Sequence, residues 1–208
     1  MSCRRLHFSS DDGIVVVRLR RNEFMAAAPR LMSVDEYFRT PESVAPTELA
    51  FGNLRVADAP TPNHQSVVAQ LFLALRAHVV ERRLGRVWLS PLDVVLDEDA
   101  ALIVQPDLTF ISNARQWIVQ DRVRGAPDLV VEVLSPNPRI GRSDEHLRWF
   151  AEYGVRECWL VYQDQRRIGL VSFDEGQIKE RYLIGAREPV ASSVLPDFSM
   201  SLQEILAL

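Results

Sequence analysis

Asp128-Leu129-Val130-Val131-Glu132-Val133-Leu134 is a run of apolar residues with a carboxylate near its end. Its length and its Val content predict a buried strand. A second run, Leu102-Ile103-Val104-Gln105-Pro106-Asp107-Leu108-Thr109-Phe110, carries Asp107 in a similar setting. An ionised carboxylate among such neighbours is expensive unless a positive charge neutralises it. Two of them on adjacent strands suggest a divalent cation held by oxygen ligands. The acids lie 25 residues apart, a spacing that fits strand, excursion, strand, and the intervening residues 113–127 are polar enough for the excursion. Pro106 holds the chain extended just before Asp107. Cations so placed lower the pKa of a bound water and neutralise charge growing on a phosphoryl oxygen.

Working outward, Ser33-Val34-Asp35-Glu36 has the form of a capping box that opens a short helix. Residues 48–57 alternate around Phe51-Gly52-Asn53, which predicts a hairpin. Residues 64–84 repeat Val67, Val68, Leu71, Phe72, Leu75, Val79 and Val80 at helical spacing, with Gly85 as the expected stop. β runs are expected at 87–96, 102–111 and 129–134, the first two joined as a hairpin through Asp97-Glu98-Asp99. A helix over 143–153, a strand over 157–162, a hairpin over 168–173 and 178–183, and a terminal helix over 201–206 complete the pattern. This order predicts an α/β or α+β domain with a mixed sheet.

Composition narrows the function. The chain has 208 residues, 24 Lys plus Arg against 28 Asp plus Glu, and a net charge of −4. A whole-chain basic footprint, the usual mark of a nucleic-acid binder, is missing. Lys179 is the only lysine, so local positive clusters are built of arginine. Cys3 and Cys158 alone give neither a disulfide framework nor a thiolate zinc site. No apolar stretch approaches the roughly 20 residues of a transmembrane helix, and no signal core opens the chain, so the cytoplasm is expected. Residues 1–31, with Arg4, Arg5, Arg18, Arg20, Arg21 and Arg30 around a β-like run at 14–19, are expected to be an appended extension. It would be a disordered segment, a basic arm or a mis-assigned start, with Met25 or Met32 as the alternative beginning.

Several motifs fit no simple class. Glu48 beside a hairpin is ordinarily solvated and His64 at a helix start ordinarily caps it, so both matter only if the fold brings them to the acids. Ser135 lacks a nucleophile elbow, and no glycine-rich phosphate loop is present. Of Trp88, Trp117, Trp149 and Trp159, the last is expected in the core and Trp149 is the candidate for ligand contact. Arg139, Arg142 and Arg148 could hold phosphates or form a solvated face paired with Asp144, Glu145 and Glu152. Arg82, Arg83 and Arg86 are explained by the helix dipole.

Taken in order, Glu48-Leu49-x-x-Gly52, Pro62-x-His64, Gln105-Pro106-Asp107, residues 127–136 and Tyr153-Gly154-Val155-x-Glu157-Cys158-Trp159-Leu160-Val161 resemble the Uma family of restriction-endonuclease-like bacterial proteins, within the PD-(D/E)XK nuclease superfamily. The resemblance covers residues 32–208. It implies a restriction-endonuclease-like domain there, with a mixed central sheet flanked by helices. It implies a metal-dependent deoxyribonuclease, with Asp107 and Glu132 binding Mg²⁺ (or Mn²⁺), the Val133 carbonyl completing the shell, and Glu48 and His64 lining the cleft. The superfamily's lysine, expected two positions after the second acid, is Leu134 here. Such a lysine can sit on the following helix, where the matching position is His146. That residue could orient the attacking water as a cation or act as a base when neutral, whereas Arg148 keeps its charge. The departure favours a second reading, a nuclease-fold module that binds nucleic acid or protein without cutting, and a third is a toxin–antitoxin or mobile-element protein whose partner supplies the DNA contacts. A homodimer is expected, since duplex cleavage needs two active sites and symmetric dimers predominate.

Overall fold

The computed structural model describes residues 30–41, 45–134 and 143–208. The capping box forms as expected, with Ser33 and Glu36 bonding each other's backbone at the start of helix α1 (Val34–Phe38). Strands β1 (Thr47–Ala50) and β2 (Asn53–Val56) make the hairpin. Helix α2 (Pro62–Glu81) follows, with Pro62 in its first turn and the Thr61 hydroxyl accepting from the His64 N–H. Gly85 is not its stop. The helix ends at Glu81, Arg83 takes the left-handed turn at φ +53°, and Gly85 opens strand β3 (Gly85–Leu89). There a Cβ would collide with the Ile111 carbonyl, so the glycine serves close strand approach rather than capping.

The two apolar runs expected to pair as one hairpin each divide. Residues 87–96 become β3 and β4 (Val94–Asp97), and residues 102–111 become β5 (Leu102–Val104) and β6 (Leu108–Ser112). Only β4 and β5 form the hairpin, while β3 pairs with β6 in the other sheet. Pro106, which has no N–H to continue a ladder, marks the switch. After a 3-10 turn (Asn113–Ile118) and β7 (Val123–Arg124) come β8 (Leu129–Leu134), helix α3 (Ser143–Tyr153) and β9 (Glu157–Tyr162). Strands β10 (Arg167–Asp174) and β11 (Gln177–Gly185) and helix α4 (Leu202–Ile205) close the chain.

Two mixed sheets result, ordered β2-β1-β5-β4-β7 and β11-β10-β9-β8-β6-β3. β8 and β9 run parallel, joined through α3. The six residues of β8 alternate between two cores, as a period of two demands. Leu129, Val131 and Val133 pack with Val67, Leu71, Leu75 and Val79 of α2. Val130 packs with Leu147, Trp149 and Phe150 of α3 and with Val94, Leu102 and Val104 of the smaller sheet. Glu132 shares that second face. Each fully buried aliphatic side chain in these layers contributes about 2 kcal/mol. Leu31–Leu208 form one compact unit. Among the described residues, no helix is long and apolar enough to cross a membrane.

Candidate functional site

β6 and β8 pair antiparallel with Leu108 opposite Val131 and Thr109 opposite Val130. Extending that register by one step sets Asp107 opposite Glu132, and facing residues of an antiparallel pair share a side. The Asp107 carboxylate caps the arrangement by accepting the Val133 N–H at 2.7 Å. Gln105, two residues upstream, accepts the Thr47 N–H at 2.9 Å and donates to Asp93 at 2.7 Å. Tyr37 also donates to Asp93, at 2.9 Å. The segment before Asp107 is thereby tied to β1, and β1 carries Glu48.

Two histidines meet these acids. His64 Nε2 lies 3.2 Å from Asp107 Oδ2. His146 of α3 sets Nε2 3.2 Å from Glu48 Oε2 and Nδ1 3.6 Å from Glu132 Oε1. Glu48 is buried, 7% exposed, although β1 is only four residues long. Five of the sequence-predicted residues, Glu48, His64, Asp107, Glu132 and His146, are therefore brought together. Val133 joins them through its backbone. Arg148 is exposed on α3, and Arg139 and Arg142 lie outside the described residues.

The electrostatics follow from burial of like charges. Burial pushes the Glu132 carboxyl up to about 7; His146 opposes the shift, and Asp107 and Glu48 add to it. Burial would depress His146, but the bonds and charges of Glu132 and Glu48 win and raise it to about 10. His64 is likewise penalised by burial, and Asp107, the Val133 backbone and Glu132 raise it nonetheless. His146 is thus held as a cation between two carboxylates, and Asp107 favours the charged form of His64. The Nδ1 atom of His64 is buried without a hydrogen-bond partner. Among the described residues no three His, Cys, Asp or Glu side chains form a ready cation cage.

Trp149, the candidate for ligand contact, is instead buried at 5% exposed, packed 5.2 Å from the His146 ring. Trp159 is in the core and donates to Glu157. Trp88 is half-buried and Trp117 exposed. Sequence reasoning missed Arg55, which grips Glu145 through two bonds of 2.8 and 3.2 Å and lies 5.5 Å from the Trp149 ring centre. Glu145 had been expected to pair with arginines of its own neighbourhood. Glu48 and Arg55 face each other in the β1–β2 register, a local charge pairing that could have drawn attention to Arg55. Nothing local links it to a residue 90 positions away.

Comparison with known proteins adds three findings. The model of the Uma2 family, described as "Putative restriction endonuclease", matches residues 34–203. Among solved structures the chain is similar to a putative nuclease belonging to DUF820 from Anabaena variabilis ATCC 29413. The TM-score is 0.70 at 17% identity, covering 85% of this chain and 98% of that one. No curated protein matches. With the family model spanning most of its length, from the first helix to the last, the chain belongs to the Uma2 family of restriction-endonuclease-like proteins.

Proposed function

We propose that this protein is a divalent-cation-dependent endonuclease that hydrolyses DNA phosphodiester bonds. The observation that carries the reading is Asp107 facing Glu132 across β6 and β8, with Glu48 added from the other sheet. Three carboxylates drawn together in one partly buried place call for positive charge, which His64 and His146, and Arg55 beside Glu48, supply in part. The donor set fits a hard ion: acidic oxygens from neighbouring strands on one face. Asp107, Glu132 and the Val133 carbonyl would hold Mg²⁺ or Mn²⁺. When bound, the ion would supply neutralisation of the negative charge that develops on the phosphoryl group.

The chain's own residues do the rest. His146 keeps a proton between Glu132 and Glu48 and replaces the family lysine as the positive group near the reacting phosphate. Glu48 orients His146. His64 orients Asp107. We further propose that the nuclease unit begins near residue 32, that it works as a homodimer with one site per strand, and that it acts in the cytoplasm.

The test is nicking of supercoiled plasmid with Mg²⁺, with Mn²⁺ and with EDTA. Asp107→Ala or Glu132→Ala is expected to abolish metal-dependent nicking while the protein stays folded by circular dichroism. Cutting at the wild-type rate by either variant would remove the proposal. One observation favours a second reading, a nuclease-fold module that binds without cutting: His146 is already engaged by both acids, as a permanent plug would be. Metal-independent DNA binding with no nicking at any pH would select it.

A further inference from the structure

Resting on the nuclease reading, we infer that Phe51 is a stacking platform for an unpaired nucleobase at the rim of the acid cluster. The β1–β2 hairpin closes at the Ala50–Asn53 pair, leaving a two-residue turn of Phe51 and Gly52. Both take left-handed backbone, at φ +48° and +79°. A turn of that kind is normally Asn-Gly or Asp-Gly, because a Cβ is penalised at its first position and a short polar side chain tolerates it best. Gly52 is obligatory, since a side chain there would strike Leu31. Phe51 is not: a bulky aromatic is held where the backbone disfavours it.

The ring's position gives the reason. It meets Trp149 edge to face, with centres 5.6 Å apart and planes at 81°. Trp149 in turn lies 5.2 Å from His146, so Phe51 is two ring contacts from the group that bridges Glu132 and Glu48. Trp149 is almost wholly buried, whereas Phe51 stays 41% exposed. A rigidly backed aromatic with an open side beside a phosphate-cleaving site suits a flat base. Of the two cations beside the Trp149 ring, Arg55 is already paired with Glu145 and His146 with Glu48 and Glu132. Recognition is therefore by stacking and tolerant of sequence rather than by hydrogen bonds to a base edge. A mere cover for Trp149 would be served as well by an aliphatic residue.

The experiment uses the full chain, a short labelled single-stranded DNA and Ca²⁺ in place of Mg²⁺, with binding read by fluorescence anisotropy. Phe51→Leu, which keeps an apolar cover over Trp149, is expected to weaken binding about 10-fold. Phe51→Tyr should restore it. Replacing bases with abasic sites should weaken the wild type and leave Phe51→Leu nearly unaffected, and melting temperatures should stay within a few degrees. Wild-type affinity in Phe51→Leu, or equal losses from abasic sites in both proteins, overturns the inference alone. Absence of single-strand binding by wild type and Phe51→Tyr also overturns the inference, whereas the nuclease reading falls only if the wild type fails to nick plasmid.

Discussion

Asp128 immediately precedes β8 and Glu132 lies within it, four positions on, and their environments are opposite. Asp128, 1% exposed, accepts the Ser112 N–H at 2.7 Å and an Arg156 N–H at 3.1 Å, with Arg115 at 4.0 Å. Every donor around it is fixed and positive or neutral. Glu132 instead faces Asp107 and Glu48, and its closest positive neighbour among the described residues is His146, whose own charge depends on the acids. Glu157 belongs with Asp128: it takes the Trp159 indole N–H at 2.7 Å and the Ser193 N–H at 2.6 Å, and the Ser193 hydroxyl besides. A carboxylate kept for structure brings its own donors. Glu132, proposed to hold an external cation, is instead left among acids.

Exchanging charge for amide at the two positions tests that contrast most severely. Glu132→Gln should lower metal-dependent nicking by about 10²–10³-fold without loss of stability at pH 8. Asp128→Asn should leave chemistry intact but cost about 2 kcal/mol of folding stability, because the Ser112 N–H and Arg156 lose a charged acceptor. Plasmid nicking and urea denaturation, run on both variants, read the two outcomes. If Asp128→Asn proves the inactive one, the contrast fails.

Next in size is His146. Its replacement by Gln leaves Glu132 and Glu48 without their shared cation, and about 2 kcal/mol of stability should be lost at pH 8. Addition of Mg²⁺ should recover part of that loss by binding only the folded chain. Thermal melts with and without the ion check it, and a variant insensitive to both would mean that the acids are not coupled.

The pH profile sharpens the same point. His146 is raised from 6.5 to about 10, so its contribution is complete below pH 6.5 and disappears as pH rises through 10. Glu132 is raised from 4.5 to about 7, so the fold favours its protonated form and stability falls as pH rises from 4.5 to 7. The folded chain thus binds more protons than the unfolded one across both windows, and these two groups make it less stable toward alkaline pH. Melts in EDTA from pH 5 to 10 should show the decline, and Glu132→Gln should flatten its lower part. The smallest effect is expected of Arg55→Met. Loss of the half-exposed Glu145 pair and of the Trp149 contact should cost about 1 kcal/mol by urea denaturation.

Local signals were the legible ones. The Ser33 capping box, the β1–β2 hairpin, the β8 strand and the α3 helix stand where their own residues put them, since each is specified within a few positions. The two carboxylates were visible for the same reason: an acid inside an apolar run is conspicuous. The division of residues 102–111 at Pro106 was not, because the proline shows where a ladder stops but not that the chain then joins another sheet. Nor was the exchange between Trp149, expected at the ligand and found buried, and Phe51, expected in a hairpin and found exposed against it.

By itself the amino-acid sequence determined the longer elements, their order, and the two acids that a cation would need, because propensity, period and desolvation act over short stretches of chain. Tertiary structure alone decided that Glu48, from the second sheet, and His146, on the crossover helix, meet Glu132. It decided equally that Asp128, so like Glu132 in the sequence, is fully satisfied. A carboxylate's character depends on the charges within a few ångströms, and those come from residues up to 98 positions away.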